Sequence, residues 1–331
     1  MTRITVIGAT GNQGGSVARS LLQNPSFQVR AITRNPSSSA SQELSAAGAE
    51  VFQADGFKPE EMRAAFADTW GAFININSDD KVFTIPDGPN EYDMGKTIVD
   101  AAAQAGVKHL VFSSAASCTE LTGGKVQMKA MDMKNMIEKY AQQCGQFETV
   151  IPIGAGWFFE NFLSKEAAPV FGGFPHFSDA EGIRTLRVPY WGGEERVPFL
   201  SISDDFGDIV QGIFLEPTRW NGHFVHGISA IRSFTQLVEE FEQVTGHKSR
   251  LDPILPSWEA FDTHGIHELE DVKLMFGLTQ TTGGLYFATP SENDTAAVLK
   301  KVTGQALGRP VDQQQLVTAE AWFQARVDCF T

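Results

Sequence analysis

The chain has 331 residues, of which 42% are hydrophobic and 20% charged, and its formal net charge is -14. This composition is typical of a globular protein with roughly two lobes, and no apolar run approaches the roughly 18–20 residues of a membrane-spanning helix. The net negative charge, with no basic cluster, argues against direct binding to nucleic acid.

Short apolar runs alternate with amphipathic helical patterns through the first half of the chain. The predicted strands are residues 4–7, 28–33, 50–53, 71–76, 109–113 and 149–153. The predicted helices include residues 13–24, 92–106 and 126–144. Strands that alternate with crossover helices form a parallel sheet. We therefore predict an α/β protein with a Rossmann-type, doubly wound parallel sheet.

Beyond residue 155 the sequence changes to loops rich in aromatic residues, glycine and proline. Residues 1–155 are predicted to form the Rossmann domain, to which a segment at about 200–230 returns. Residues 156–199 and 231–331 are predicted to form a smaller lobe of helices and loops that binds the substrate. The aromatic loops 157–159 and 171–177 either line an apolar cleft or pack in the core, and the sequence leaves both interpretations open.

A glycine-rich turn follows the first predicted strand and opens the first predicted helix, with the spacing GxxGxxG. Glycine permits a tight turn and a close approach of the backbone to a pyrophosphate, and the helix N-terminus offers free N–H groups to the anion. We therefore predict a dinucleotide site in this turn. Its predicted cofactor-binding residues are Gly8, Thr10, Gly11, Asn12, Gln13 and Gly14.

The end of the second predicted strand indicates which dinucleotide is bound. An acidic residue there would accept a hydrogen bond from a ribose 2′-OH, but Arg34 stands there instead, followed by serines 37–39. A guanidinium can clamp a 2′-phosphate through two charge-assisted hydrogen bonds, so NADP(H) is favoured over NAD(H). Asp55, after the third strand, is predicted to meet the adenine, and Asn77, after the fourth, the nicotinamide side.

The catalytic Tyr-xxx-Lys motif of ordinary short-chain reductases is missing from its expected helix. Tyr92 and Lys96 have the right spacing but lie one crossover too early, on the helix before the fifth strand. On the correct helix Lys134 is present, and the position four residues before it is Ala130. Lys134 is therefore predicted to bind the nicotinamide ribose or to act as an acid, with a solvent-exposed helix lysine as the alternative.

Two further catalytic candidates come from position in the chain. Ser113 ends the fifth predicted strand, where this fold places catalytic groups, although a strand-end cap is the equal alternative. Tyr190 is the only tyrosine of residues 156–199 and is the candidate for a replacement acid. Ser113 is predicted to hydrogen-bond a substrate carbonyl or the nicotinamide, and Tyr190 is the hypothesis for the proton donor.

No metal site and no disulfide framework are predicted. The sequence from His264 to Glu268 lacks the His-Glu-xx-His order of a zinc protease. Cys118, Cys144 and Cys329 are far apart, odd in number and without a CxxC pair, which is typical of a reducing compartment. The N-terminus lacks the apolar stretch of a secretory signal, so we expect a cytoplasmic protein.

Several segments together resemble the NmrA-like family, a group of atypical short-chain dehydrogenase/reductases related to isoflavone-reductase-like enzymes and with fungal members. The segments that carry the resemblance are residues 8–14, 33–36, 105–109, 113–114, 131–134, 157–162 and 244–248. The resemblance implies a cleft between two lobes. It also implies that the cofactor is bordered by the residues already given and by Phe158, Phe159 and Asn161.

The resemblance leaves three functions open. We expect an NADPH-dependent reductase of a small aromatic or secondary-metabolite substrate, in which Lys134 takes part in catalysis. The first alternative is a dinucleotide-sensing regulatory protein without turnover, which would bind a protein partner. The second is a biosynthetic enzyme with non-redox chemistry and bound NADP. The sequence leaves the substrate and the oligomeric state open.

Overall fold

The computed structural model describes residues 1–253 and 256–331, except for the side chains of residues 253, 267 and 268. Within these residues the strands are β1 Thr2–Ile7, β2 Phe27–Thr33, β3 Glu50–Gln53, β4 Gly71–Ile74, β5 His109–Ser114, β6 Thr149–Ala155, β7 Trp157–Phe158, β8 Arg184–Val188, β9 Val197–Leu200, β10 Val225–Gly227, β11 Ala230–Arg232 and β12 Ser249–Pro253. The α-helices are α1 Asn12–Leu22, α2 Ser39–Ala46, α3 Pro59–Ala65, α4 Glu91–Gln104, α5 Cys118–Leu121, α6 Lys129–Gln143, α7 Gly207–Leu215, α8 Phe234–Thr245, α9 His267–Thr281, α10 Asp294–Ala306 and α11 Ala319–Gln324.

Seven of these strands form one parallel sheet in the order β10-β6-β5-β4-β1-β2-β3. In its centre Val6 pairs with Ala31 on one side and with Phe73 on the other. The direction of strand addition reverses beside β1, which is the switch point at which such sheets bind ligands. The predicted doubly wound α/β fold is confirmed, and the predicted returning segment contributes β10.

The sheet is covered on both faces, as its runs of apolar residues require. One face packs against α1, α7 and α10, and the other against α3, α4 and α6. Ile4 and Phe73 are fully buried in the first of these layers, and Phe112 in the second. The carboxyl ends of the seven parallel strands therefore meet at one rigid edge.

A second, strongly aromatic core lies beyond β6, around the small sheets β11-β9-β7 and β12-β8. Phe159, Phe171 and Phe174 are buried in it, so core packing rather than the lining of a cleft explains most of the aromatic loops. In those loops, the residues that reach the large cavity described below are Trp157 and Phe158.

Helix α10 lies against the large sheet's own helices, although the sequence placed it in the smaller lobe. Lys300 of α10 forms ion pairs with Asp205, just before α7, and with Asp208 in the first turn of α7. Gly212 of α7 touches the backbone of Leu299, since a Cβ there would lie 2.4 Å from the Leu299 carbonyl oxygen. Two buried carboxylates therefore fix α10 to the Rossmann unit. No described helix has the length and apolar character needed to cross a membrane.

Candidate functional site

A cavity of about 730 Å³ opens along the carboxyl edge of the large sheet. Its walls are formed by the residues that follow β1, β2, β3, β4 and β6, together with parts of α6, of α9 and of the loop after α9. Ligands of doubly wound sheets bind at this edge. The predicted site residues that line the cavity are Gly8, Thr10, Gly11, Asn12, Gln13, Arg34, Asn77, Lys134, Phe158 and Asn161.

Asp55 and Ser113 lie beside the cavity without lining it. Asp55 Oδ1 accepts a hydrogen bond of 3.0 Å from the backbone N–H of Phe57, which holds the carboxylate in its own turn. Ser113 is buried, and its hydroxyl donates to Gln13 Oε1 at 2.7 Å. Gln13 therefore stands between Ser113 and the cavity, and the serine orients a lining residue.

Phe159 and Tyr190 lie outside the lining of the cavity. Phe159 is fully buried and stacks on Phe199 and Trp322, with centroid distances of 5.1 and 5.3 Å. Tyr190 is 47% exposed, and its hydroxyl donates to the carbonyl oxygen of Gly193. Phe159 therefore packs in the second core and does not border the cavity, where the sequence placed it beside the cofactor. Tyr190 points towards solvent and not into the cavity, where the sequence placed it as an acid.

The glycine turn is built around close backbone contacts. Gly8 has φ +75°, and a Cβ there would lie 2.6 Å from the carbonyl oxygen of Asn75. A Cβ on Gly14, which does not itself line the cavity, would lie 2.3 Å from the Gly8 carbonyl oxygen, so α1 packs directly on the turn. Gly11 is the N-cap of α1, and no described side chain caps it. The first-turn N–H groups are thus available to an anion.

Arg34 forms an ion pair across the cavity mouth. Its Nη2 lies 2.7 Å from Oδ2 of Asp80, which follows β4, and both residues line the cavity. The other oxygen of Asp80 accepts a hydrogen bond from the N–H of Val82, so the carboxylate is fixed in its loop. The Arg34 side chain remains 61% exposed, which leaves its guanidinium accessible to a second anion.

Lys134 is held in place by two acceptors. Its Nζ donates to the carbonyl oxygen of Ile76 at 2.7 Å and to Oε1 of Glu91 at 2.6 Å. Glu91 is only 4% exposed at the first turn of α4, and a buried carboxylate needs a paired cation. An ammonium has three N–H donors, so one remains for a ligand.

The cavity wall opposite the glycine turn is apolar and comes from the second core. Trp157, Phe158, Val272, Met275 and Tyr286 line it. The side chain of Trp157 is 94% buried and packs in the aromatic core, which gives this wall a rigid backing. Burial raises the pKa of the Tyr286 phenol to about 12, so the phenol is protonated at neutral pH.

Sequence reasoning missed three of these residues. Asp80 lies in the loop after β4, and Glu91 is the first residue of α4. The polar run Asn77-Ser78-Asp79-Asp80 at a strand end was a sequence signal for Asp80. Glu91 and Tyr286 gave no such signal. Tyr286 reaches the cavity only because the smaller lobe folds back over it.

No metal centre is found in the part of the chain whose side chains are described. No group of three His, Cys, Asp or Glu side chains there is placed to hold an ion. His267 and Glu268 of the histidine motif lie outside the described side chains, so the interpretation of that motif stays a prediction.

The sheet order and the glycine turn define a Rossmann-type dinucleotide-binding protein. The model of the NmrA-like family matches residues 1–308, and the chain belongs to that family, as the sequence predicted. It is 68% identical over 324 residues to the NmrA-like family domain-containing oxidoreductase lnaB of Aspergillus flavus, covering 98% of this chain and 97% of that protein. It is 64% identical to the oxidoreductase FrzB of Cladobotryum, covering 97% of each chain.

Among solved structures, the chain resembles NmrA, a negative transcriptional regulator crystallised with NADP. The TM-score is 0.72 at 20% identity, over 99% of this chain and 97% of the regulator. Another crystal of the regulator contains NAD, with a TM-score of 0.74 at 20% identity over the same shares of the two chains. At this identity the likeness supports the fold alone.

Proposed function

We propose that this protein is an NADP(H)-dependent reductase of a small, flat, apolar or aromatic molecule. The observation that carries the proposal is that one cavity brings together an uncapped glycine turn, an accessible arginine, a fixed lysine and an aromatic wall. The oxidoreductase names of relatives that match nearly the whole chain at 64–68% identity support the same class.

The glycine turn fits a pyrophosphate on steric grounds. The nearest atom to a Cβ on Gly11 would be the Gly8 carbonyl oxygen at 3.4 Å, so the space beside Gly11 opens into the cavity. Thr10, Gly11, Asn12 and Gln13 would hold the pyrophosphate, through backbone N–H groups and the partial positive charge of α1. Arg34 would hold the 2′-phosphate. When bound, NADPH supplies a hydride.

Lys134 acts as a fixed cation in this proposal. Glu91 and the Ile76 carbonyl oxygen together keep it oriented, so its remaining N–H group can bind a ribose hydroxyl or stabilise negative charge that develops on the substrate. Such preorganised charge needs no rearrangement during the reaction. The aromatic wall excludes water and selects a flat substrate.

Turnover of NADPH by purified protein tests the proposal. Acetophenone, benzalacetone and 3,4-dihydroisoquinoline represent aromatic ketones, enones and imines, and we expect NADPH oxidation with at least one of them. Lys134→Met is expected to lower kcat by roughly 10²–10³-fold, whereas Lys139→Met, on the same helix but paired with Glu120, changes it by less than about threefold. Because Lys134→Met strands a buried carboxylate, the double variant with Glu91→Gln is the folding control.

A dinucleotide-sensing regulator is the second candidate. The pairing of Lys134 with Glu91 and the lack of Tyr-xxx-Lys favour it, and the solved regulator shares the fold. In that case NADPH would bind without oxidation of any probe, and Lys134→Met would leave the spectrum of bound NADPH unchanged.

A further inference from the structure

Tyr286 presents a partly buried aromatic ring to the cavity. The ring stacks on Trp191, with centroids 6.1 Å apart and planes 26° apart, and meets Phe287 edge-on at 4.9 Å. Trp191 is itself fully buried and stacks on Trp157 at 6.4 Å and 9°. The tyrosine is therefore the outermost ring of an aromatic stack that is anchored in the second core.

The hydroxyl of Tyr286 has no hydrogen-bond partner among the described residues. The oxygen is also not fully enclosed, so it keeps contact with open space. Because Tyr286 lines the cavity, that space is the cavity itself. Phenol hydroxyls that are half-buried normally find a partner, so an unpaired one in a cleft points to a ligand.

The backbone around Tyr286 is rigidly seated. Gly283 and Gly284 have φ values of +71° and +96°, in the left-handed region that glycine favours. Gly193 packs on this turn so tightly that a Cβ there would lie 2.1 Å from the Gly283 carbonyl oxygen. The position of the phenol is therefore fixed before any ligand binds, as a catalytic group requires.

Other candidate acids fit proton donation less well. Loss of a proton from Lys134 would leave the buried carboxylate of Glu91 without a cation, which is costly. Ser113 is separated from the cavity by Gln13, and Tyr190 points to solvent. Asp271 lines the cavity too, and its role is tested below.

We propose that Tyr286 is the catalytic proton donor of the reductase proposed above, on which this inference rests. The hydride that NADPH supplies forms a C–H bond at the carbon of a C=O or C=N group. The Oη–H bond of Tyr286 breaks, and its proton passes to the oxygen or nitrogen whose π bond is lost. A proton taken up from solvent through the cavity mouth then restores the phenol, so each turnover consumes one solvent proton. Lys134 stabilises the negative charge, so the two roles of the usual Tyr-xxx-Lys motif lie on separate lobes.

Tyr286→Phe tests this inference, because it removes only a hydroxyl that makes no hydrogen bond to the described residues. Wild type, Tyr286→Phe, Tyr190→Phe and Asp271→Asn are compared with the three probes named above. The measurements are kcat and KM, the Kd of NADPH by its fluorescence, and calorimetric binding of each probe to protein saturated with NADP⁺. The last two report on the site without turnover.

The expected result is specific to Tyr286→Phe. Its kcat falls roughly 10²–10⁴-fold, its Kd for NADPH stays within about twofold, and its affinity for the carbonyl probe falls about three- to tenfold with the lost hydrogen bond. Tyr190→Phe stays at wild-type values. A wild-type kcat in Tyr286→Phe, or a loss in Asp271→Asn alone, overturns the inference while the reductase stands. Failure of wild type to bind or oxidise NADPH overturns the proposed function itself, and this inference with it.

Discussion

The ion pair between Arg34 and Asp80 affects the choice between NADPH and NADH. A 2′-phosphate that binds Arg34 must compete with the Asp80 carboxylate, whose oxygen lies 2.7 Å from the guanidinium. NADH lacks this phosphate and leaves the pair intact. Asp80→Asn is therefore expected to tighten NADPH binding and to leave NADH binding nearly unchanged.

The magnitude follows from the exposure of the two partners. With Arg34 at 61% and Asp80 at 13% exposure, the pair is screened by solvent and contributes about 0–1 kcal/mol. The displaced carboxylate remains fixed near the phosphate, and this repulsion adds roughly as much again. The total of up to about 2 kcal/mol corresponds to a gain of up to roughly 30-fold in NADPH affinity. Loss of the arginine in Arg34→Ala removes charge-assisted hydrogen bonds and weakens NADPH binding by roughly 10- to 150-fold.

Fluorescence titration measures the dissociation constants of NADPH and NADH. Calorimetric binding of 2′,5′-ADP, compared with that of 5′-AMP, measures the contribution of the 2′-phosphate to binding. Asp79→Asn is the matched control, because it makes the same charge change at a lining residue of the same loop. The effect of Asp80→Asn should shrink as salt is raised. An unchanged ratio of the NADPH and NADH constants in Asp80→Asn, or an equal gain in Asp79→Asn, would refute the reasoning.

Three further outcomes are expected. Gly8→Ala should lower the free energy of unfolding by about 1–3 kcal/mol more than Gly106→Ala does. The φ values of the two glycines match, at +75° and +77°, but only at Gly8 would a Cβ meet a close carbonyl oxygen. Equal losses of unfolding free energy in urea titrations of the two variants would contradict this. Burial raises the pKa of Cys118 to about 11, so iodoacetamide at neutral pH should label exposed Cys329 and spare Cys118, as mass spectrometry would show. Burial also raises the pKa of Glu138, so its contribution to stability is complete below about pH 4.5 and is lost as pH rises through the folded-state value. Glu138→Gln should therefore lose less Tm between pH 5 and pH 7 than wild type.

Local patterns were sufficient to predict the Rossmann half of the chain. Apolar strands of four to seven residues, each followed by an amphipathic helix, specify a parallel sheet with little ambiguity. The glycine turn and Arg34 were readable because their roles depend on position relative to a single strand. The same reasoning placed Lys134 on the right helix, and the structure puts its ammonium on the cavity wall.

The rest of the site depends on contacts between distant parts of the chain. Glu91 pairs with Lys134 across 43 positions, and Asp80 pairs with Arg34 across 46 (80 − 34). Tyr286 lies 152 positions after Lys134 (286 − 134), in a loop that no periodicity marks as functional. The Phe-rich loops were ambiguous for a related reason, because burial in a second core and exposure in a cleft favour the same residue types.

Hydride transfer from the cofactor is the most direct test of the central claim. NADPH that carries deuterium at each C4 position in turn would be incubated with the protein and a probe that it reduces, and the product examined by mass spectrometry. We predict that one of the two labelled forms delivers a single deuterium to the product carbon, and that the other delivers none. NADPH that binds tightly while no product acquires deuterium from either form would contradict the account and favour the regulator.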